Sequence, residues 1–192
     1  MAKLFFYYAS MNAGKSTNLL QAAFNYRERG MQTMLWTAAL DDRGGDKAIE
    51  SRIGLNADAN RFAPDTDLWD RVIAAHKVEP LACVLLDEAQ FLSADQVWQL
   101  ARVTDEGGIP VVCYGLRTDF QGALFPGAAM LLGIADRLVE LKAVCHCGAK
   151  STMNLRVDAS GAAVKQGAQT EIGGNDRYVA LCRKHFVEAL KA

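Results

Sequence analysis

Near the amino terminus six apolar residues, Leu4-Phe5-Phe6-Tyr7-Tyr8-Ala9, run straight into Ser10-Met11-Asn12-Ala13-Gly14-Lys15-Ser16-Thr17. No other stretch of the chain restricts its fold as tightly. A run without polar alternation suits a strand covered on both faces of a parallel sheet. The residues that follow have the spacing A-x-x-x-x-G-K-S, a phosphate-loop pattern with Ala9 where glycine is usual. The spacing has a physical reason. Backbone N–H groups of residues 11–16 can surround a polyphosphate, and a helix opening there points its positive end at it. Lys15 reaches the β- and γ-phosphates, and the Ser16 hydroxyl is offered to Mg²⁺. Ala9 is tolerated if its φ stays negative, since only positive φ penalises a Cβ. Residues 16–29 read as a helix with Leu19, Leu20, Ala23 and Phe24 on one stripe, and Gly30 ends it behind Arg27 and Arg29.

With 192 residues the chain is one large domain or a core with a small appendage, and 51% hydrophobic residues can fill a core. Lys+Arg 21 against Asp+Glu 22, with no basic run, argues against nucleic acid as the main ligand. No apolar run approaches the ~20 residues of a membrane span, and the chain enters a strand at once without the pattern of a secretory signal. Five cysteines in such a chain imply a reducing cytoplasm, where clustered thiols mean metal or redox chemistry before disulfides.

Residues 31–37 form a second strand with Trp36 in the core. Residues 38–60 read as a loop rich in Asp, Arg and Gly, placed where α/β proteins collect ligand-binding residues. Asp41, Asp42, Arg43 and Arg52 in it serve either the phosphate and metal environment or simply a solvated surface. A short helix over 65–76 starts at Thr66 or Asp67, turns Leu68, Trp69, Val72 and Ile73 inward, and ends at His76, to which no role is assigned. Residues 81–86 are a buried strand that ends in Asp87-Glu88, with Cys83 an inert core thiol. Asp87 reads as the acid that faces the metal opposite Ser16. Glu88 either activates water, takes a proton from an acceptor hydroxyl, or caps the helix near Ser93. That helix covers 93–106, with Val97, Trp98, Ala101 and Arg102 at helical spacing, before Gly107-Gly108 breaks it. Residues 109–115 are another buried strand, and 116–127 a loop whose Phe120 and Phe125 either cover the sheet edge or wall a flat ligand. A helix over 127–135 and a strand over 136–144 complete the core.

At Cys145 the character changes. Cys145-His146-Cys147-Gly148, a polar stretch with turns, then Cys182-Arg183-Lys184-His185 supplies four ligands of the softness that tetrahedral Zn²⁺ prefers. Redox pairing is the rival use, but C-x-C is a less usual redox spacing than C-x-x-C. Cys145, Cys147, Cys182 and His185 are therefore the expected structural zinc ligands, with His146 a bystander, in a lobe too short to fold on its own core. The expected division is a nucleotide-binding α/β core over residues 1–144 and a zinc-binding lobe over 145–192.

Taken together, ASMNAGKST, LLDEAQF, CYGLRTDFQG, C-x-C-G, IGGNDRY and C-x-x-H resemble, in order and spacing, the zinc-containing cytosolic thymidine kinases of bacteria and animals. The resemblance covers almost the whole chain. It implies a RecA-like phosphate-loop core with a parallel sheet and a small carboxyl-terminal zinc lobe. It implies phosphorylation of the 5′-hydroxyl of thymidine or deoxyuridine by ATP with Mg²⁺, in a cytoplasmic homotetramer inhibited by dTTP. Carried over by position, Glu88 is the catalytic base, and Ala9, Ser10, Met11, Asn12, Ala13, Gly14, Lys15 and Ser16 the phosphate loop. Phe91, Leu116, Phe120 and Phe125 become the apolar wall of the nucleoside site. Thr170, Glu171, Ile172 and Gly173 become the loop whose backbone reads the base, with Tyr178 its anchor. Two other classes fit the phosphate loop alone. A nucleic-acid ATPase with a zinc ribbon would need a basic surface, and a nucleotide sensor would not need the intact Lys15, Ser16, Asp87 and Glu88 set.

Overall fold

In the computed structural model, which describes residues 1–41, 48–170 and 177–191, the first strand β1 (Leu4–Ala9) is an interior strand of a six-stranded sheet. The others are β2 (Gln32–Ala38), β5 (Asn60–Phe62), β6 (Leu81–Leu86), β7 (Val111–Leu116) and β8 (Arg137–Glu140). Their order is β5-β2-β6-β7-β1-β8 and every pairing is parallel. All carboxyl ends therefore share one edge, and the connections that leave them meet there. β7 stands between the phosphate-loop strand β1 and the acid-bearing strand β6.

Period-two alternation divides the sheet between two layers of helix. Phe6, Trp36, Val84, Leu86 and Val111 face α2 (Leu68–Val78), α3 (Ala94–Asp105) and α4 (Pro126–Ile134) through Leu68, Val72, Val97, Leu100, Ala128 and Leu131. Leu35, Cys83, Leu85 and Tyr114 face α1 (Lys15–Glu28) through Leu19, Leu20 and Ala23. Burial of each large side chain in these layers stabilises the fold by ~1.5–3 kcal/mol. The helix signals in the sequence hold. Asp67 caps α2 by accepting from the Asp70 N–H, and Ser93 with Gln96 forms a capping box on α3. His76 closes α2, its Nδ1 accepting from the Leu81 N–H.

Four local expectations are corrected. Phe24 is 44% exposed, so the α1 stripe ends at Ala23. Trp98 and Arg102 of α3 are exposed, and the inward face is Gln96, Val97, Leu100, Ala101, Val103 and Thr104. Where the sequence reads as loop, a hairpin of β3 (Ala48–Glu50) and β4 (Asn56–Asp58) precedes the edge strand β5. Three-residue strands with mixed polarity carry no periodic signal. The strand expected over 136–144 is divided: β8 belongs to the main sheet, and β9 (Ala143–Val144) pairs with β10 (Lys150–Ser151) instead.

β9 and β10 open the carboxyl-terminal lobe. β11 (Met153–Arg156) pairs antiparallel with β12 (Tyr178–Leu181), and α5 (Arg183–Lys191) packs on them over a small core of Cys145, Leu155, Leu181 and Phe186. No helix among the described residues is long and apolar enough to cross a membrane.

Candidate functional site

A cavity of about 870 Å³ lies at the carboxyl edge of the sheet, within the size range of small-molecule sites. Met11, Asn12, Gly14, Lys15 and Ser16 of the phosphate loop line it, while Ala9 and Ser10 are buried behind. Ala9 keeps a negative φ, so its Cβ is tolerated as expected. Lys15 Nζ donates to the Ser10 carbonyl at 3.0 Å, poised over the loop. The Met11 N–H, counted with the phosphate cradle in the sequence, is engaged from outside the core. It donates to Asn154 Oδ1 at 2.7 Å, in the carboxyl-terminal lobe.

Opposite the loop stands the acid pair. The carboxylate of Asp87 is buried at the end of β6 and accepts from the Ser16 hydroxyl and from the Glu88 N–H, the latter at 3.0 Å. Burial, then the charge of Glu88, pushes its pKa up to about 6, and a divalent cation between Ser16 and Asp87 would supply the missing counter-charge. Glu88 adopts φ +55°, a left-handed conformation that costs a non-glycine residue ~1–3 kcal/mol and collects at functional sites. A short 3₁₀ turn, Ala89–Phe91, follows and holds it there. The buried Gln90 amide donates to Glu88 Oε2 and accepts from the Leu116 N–H at 2.9 Å. Gly115 permits this contact, because a Cβ there would lie 2.8 Å from Gln90 Oε1.

Phe91, Leu116, Phe120 and Phe125 line the same cavity, with Phe91 and Phe125 edge to face at 5.8 Å. Phe120 and Phe125 are buried, and both line the cavity. Thr170 and Tyr178 line its rim, whereas Glu171, Ile172 and Gly173 lie outside the described residues. Asp41 and, in the β3–β4 connection, Arg52 line the cavity, and Asp42 and Arg43 lie outside the described residues. Arg61 holds the approach to Asp41 by donating to the Asp41 carbonyl and, at 3.4 Å, to that of Ala38.

Sequence reasoning missed three buried polar residues: Asp119 and Asn154 line the cavity, and Arg156 packs against two residues that do. Asp119 Oδ1 accepts from the N–H groups of Gln121 and Ala123, and its Oδ2 accepts from Gln169 Nε2 at 2.9 Å. Arg156 stacks 3.8 Å above the Phe120 ring and donates to the Tyr178 hydroxyl at 2.8 and 3.0 Å and to the Ala168 carbonyl at 2.9 Å. Asn154 is the third. Asp119 had a signal, its place in the loop after a buried strand; Asn154 and Arg156 sit in a stretch with no motif of their own.

Cys145, Cys147, Cys182 and His185 converge, their ligand atoms all within 4.8 Å of one another. Cys147 Sγ and Cys182 Sγ are 3.9 Å apart, and His185 Nδ1 lies 3.5 and 3.3 Å from Cys145 Sγ and Cys182 Sγ. Two sulfurs 2.3 Å from a common tetrahedral centre are about 3.8 Å apart, so the donor set fits Zn²⁺. N–H groups of Cys147 and Cys182 bring the Cys145 thiol down to about 6, as a thiolate ligand requires. Cys147 receives an N–H from Ala149, yet the adjacent Cys145 and Cys182 sulfurs hold its pKa above the ordinary thiol value, a penalty that a cation removes. His146 is outside the quartet, stacked on the His185 ring at 4.3 Å between centroids.

Such a sheet, with a lysine-bearing phosphate loop facing a carboxylate pair, defines a phosphate-loop α/β protein with an appended cysteine–histidine centre. A family model described as thymidine kinase matches residues 2–186. The thymidine kinase of Novosphingobium aromaticivorans is 80% identical over 190 residues, 99% of each chain. That of Zymomonas mobilis is 62% identical over the whole of both chains, and that of Vibrio parahaemolyticus 58% over 99% of each. The chain belongs to the thymidine kinase family. Among solved structures, the replication initiator DnaA bound to AMPPCP and single-stranded DNA aligns at TM-score 0.39 and 19% identity, over 73% of this chain and 40% of that one, too slight a likeness to add to this.

Proposed function

We propose that the protein transfers the γ-phosphate of ATP to the 5′-hydroxyl of thymidine, and of deoxyuridine, yielding dTMP for DNA synthesis by nucleotide salvage. The observation that carries this reading is the Asp87-Glu88 pair across one cavity from Lys15 and Ser16, in a chain of this family. Residues 12–16 and Lys15 Nζ bind the triphosphate, and Ser16 and Asp87 would hold Mg²⁺, which supplies charge neutralisation at the transferring phosphoryl group. Glu88 Oε2, held by Gln90, takes the proton of the 5′-hydroxyl as it attacks. Phe91, Leu116, Phe120 and Phe125 take the faces of the nucleoside and exclude water from the phosphoryl group. Backbone groups of residues 170–173 read the base, and Tyr178, held by Arg156, anchors that segment.

Cys145, Cys147, Cys182 and His185 would hold a structural Zn²⁺ that staples the lobe, with residues 1–144 as the core and 145–192 as the lobe. The same reading includes a cytoplasmic homotetramer inhibited by dTTP. Phosphate transfer from ATP measured across a panel of nucleosides tests it. Thymidine and deoxyuridine should be phosphorylated well ahead of deoxycytidine and purine nucleosides. ATP turnover stimulated by DNA and indifferent to nucleosides would replace this reading with that of a nucleic-acid ATPase.

A further inference from the structure

The first half of the phosphate loop is held from outside the core. Asn154, in β11 and only 2% exposed, has both ends of its amide engaged. Oδ1 accepts from the Met11 N–H at 2.7 Å, and Nδ2 donates to the Thr118 carbonyl at 3.2 Å. That pairing fixes the orientation of the amide, since reversing it would set donor against donor at Met11. Next to it the buried Ser10 hydroxyl faces Ser151, 3.1 Å from its Oγ and 3.4 Å from its carbonyl oxygen. Ser151 Oγ in turn donates to the carbonyl of Leu181 at 3.3 Å, one residue before the cluster cysteine Cys182. On the other side, the Ser10 carbonyl is the acceptor that holds Lys15 Nζ.

We propose that Asn154 and Ser151 are positioning residues for the phosphate loop, so that the cysteine–histidine lobe sets affinity for the polyphosphate of the donor, in addition to any effect on the nucleoside. The inference rests on the phosphate-loop reading of residues 9–16, but not on which nucleoside is phosphorylated. A nest of N–H groups binds an anion well only when its backbone is fixed before the anion arrives. Glycine and small residues make this loop adaptable, and Ser10 and Met11 are fixed by side chains more than 140 residues away in sequence. Those side chains stand on the two short strand pairs that the cluster joins.

The test measures equilibrium binding of two probes, MgATP and magnesium tripolyphosphate, to the metal-loaded protein with no nucleoside present. Asn154→Leu and, independently, Ser151→Ala should weaken both probes by the same factor, about tenfold, the size expected for one buried hydrogen bond. Metal content should stay at that of the parent. Stripping the metal from the parent protein should weaken tripolyphosphate at least as much. Polyphosphate binding within about twofold of the parent in both variants, with metal retained, would overturn the proposal, since loss of a buried hydrogen bond exceeds that. Weakening seen only together with loss of the metal would overturn it too, because the side chains would then act merely by keeping the lobe folded. A protein that binds polyphosphate as described yet phosphorylates no thymidine would remove the proposed activity and leave this brace standing.

Discussion

Asp87 and Glu88 are adjacent acids with opposite burdens. Asp87 bears desolvation, and Glu88 bears a left-handed backbone. For Asp87 the linkage to stability has a definite sign. Its folded pKa of about 6 exceeds the ordinary value near 3.9, so the unfolded chain ionises first. Below about pH 4 both states hold the proton and the group contributes nothing; stability is then lost as pH rises to about 6, and the loss is constant above. Without divalent cation, Asp87→Asn should therefore gain Tm relative to the parent between pH 4 and pH 6 and hold that gain at higher pH, while phosphoryl transfer disappears. A flat Tm difference across that window would mean that Asp87 is not desolvated as described. Glu88→Gln keeps shape and removes the base. Turnover should fall ~10²–10⁴-fold with ATP and nucleoside binding little changed. A variant that keeps half its turnover takes Glu88 out of the chemistry.

Elements meet at the turn after Glu88, and here contact replaces charge as the governing term. Gly127 in the first turn of α4 lies so close to the 3₁₀ turn that a Cβ would sit 2.5 Å from the Ala89 carbonyl oxygen and 2.8 Å from that of Leu92. Both are backbone atoms, so the helix or the turn must move. Gly127→Ala should cost ~1–3 kcal/mol in urea unfolding, as overpacking does. It should also lower kcat, since the displaced turn carries Glu88 and Gln90. Unchanged stability and kcat together would show that the approach is looser than drawn. At this scale the sequence was informative wherever an element speaks for itself: β1 with its glycine-lysine loop, β6 with its terminal acids, and α2 with its capping residue Asp67. It was silent on the β3–β4 hairpin, whose strands are too short for periodicity, and on the inward face of α3, where Trp98 imitates a core residue. It was silent also on Asn154 and Arg156. Met11 and Asn154 are 143 residues apart, and a lone asparagine in a polar stretch has no local pattern to announce its partner.

Across the whole molecule two unequal bodies of packing share the work. The sheet carries two extensive apolar layers, whereas the carboxyl-terminal lobe buries Cys145, Leu155, Leu181 and Phe186 with a few partly covered neighbours. A core that small does not stabilise a fold alone, and one of its four residues is itself a member of the metal quartet. The C-x-C and C-x-x-H spacings announced this quartet because three thiols and an imidazole in two close pairs are a pattern, even when a long polar stretch divides them. The purified protein should hold one Zn²⁺ per chain, and a strong chelator should convert a single cooperative unfolding transition into two. The lobe should open first, reported by thiol reactivity at Cys145, Cys147 and Cys182, while Cys83 and Cys113, fully buried in the sheet, stay unreactive until the core unfolds. Binding energy at a folded-state metal site is folding energy, on the order of 10 kcal/mol for such ligand sets, so removal should exceed anything the lobe can absorb. Protein that carries no zinc, with the quartet cysteines open to reagent and one unchanged transition, would show that the lobe stands on packing alone.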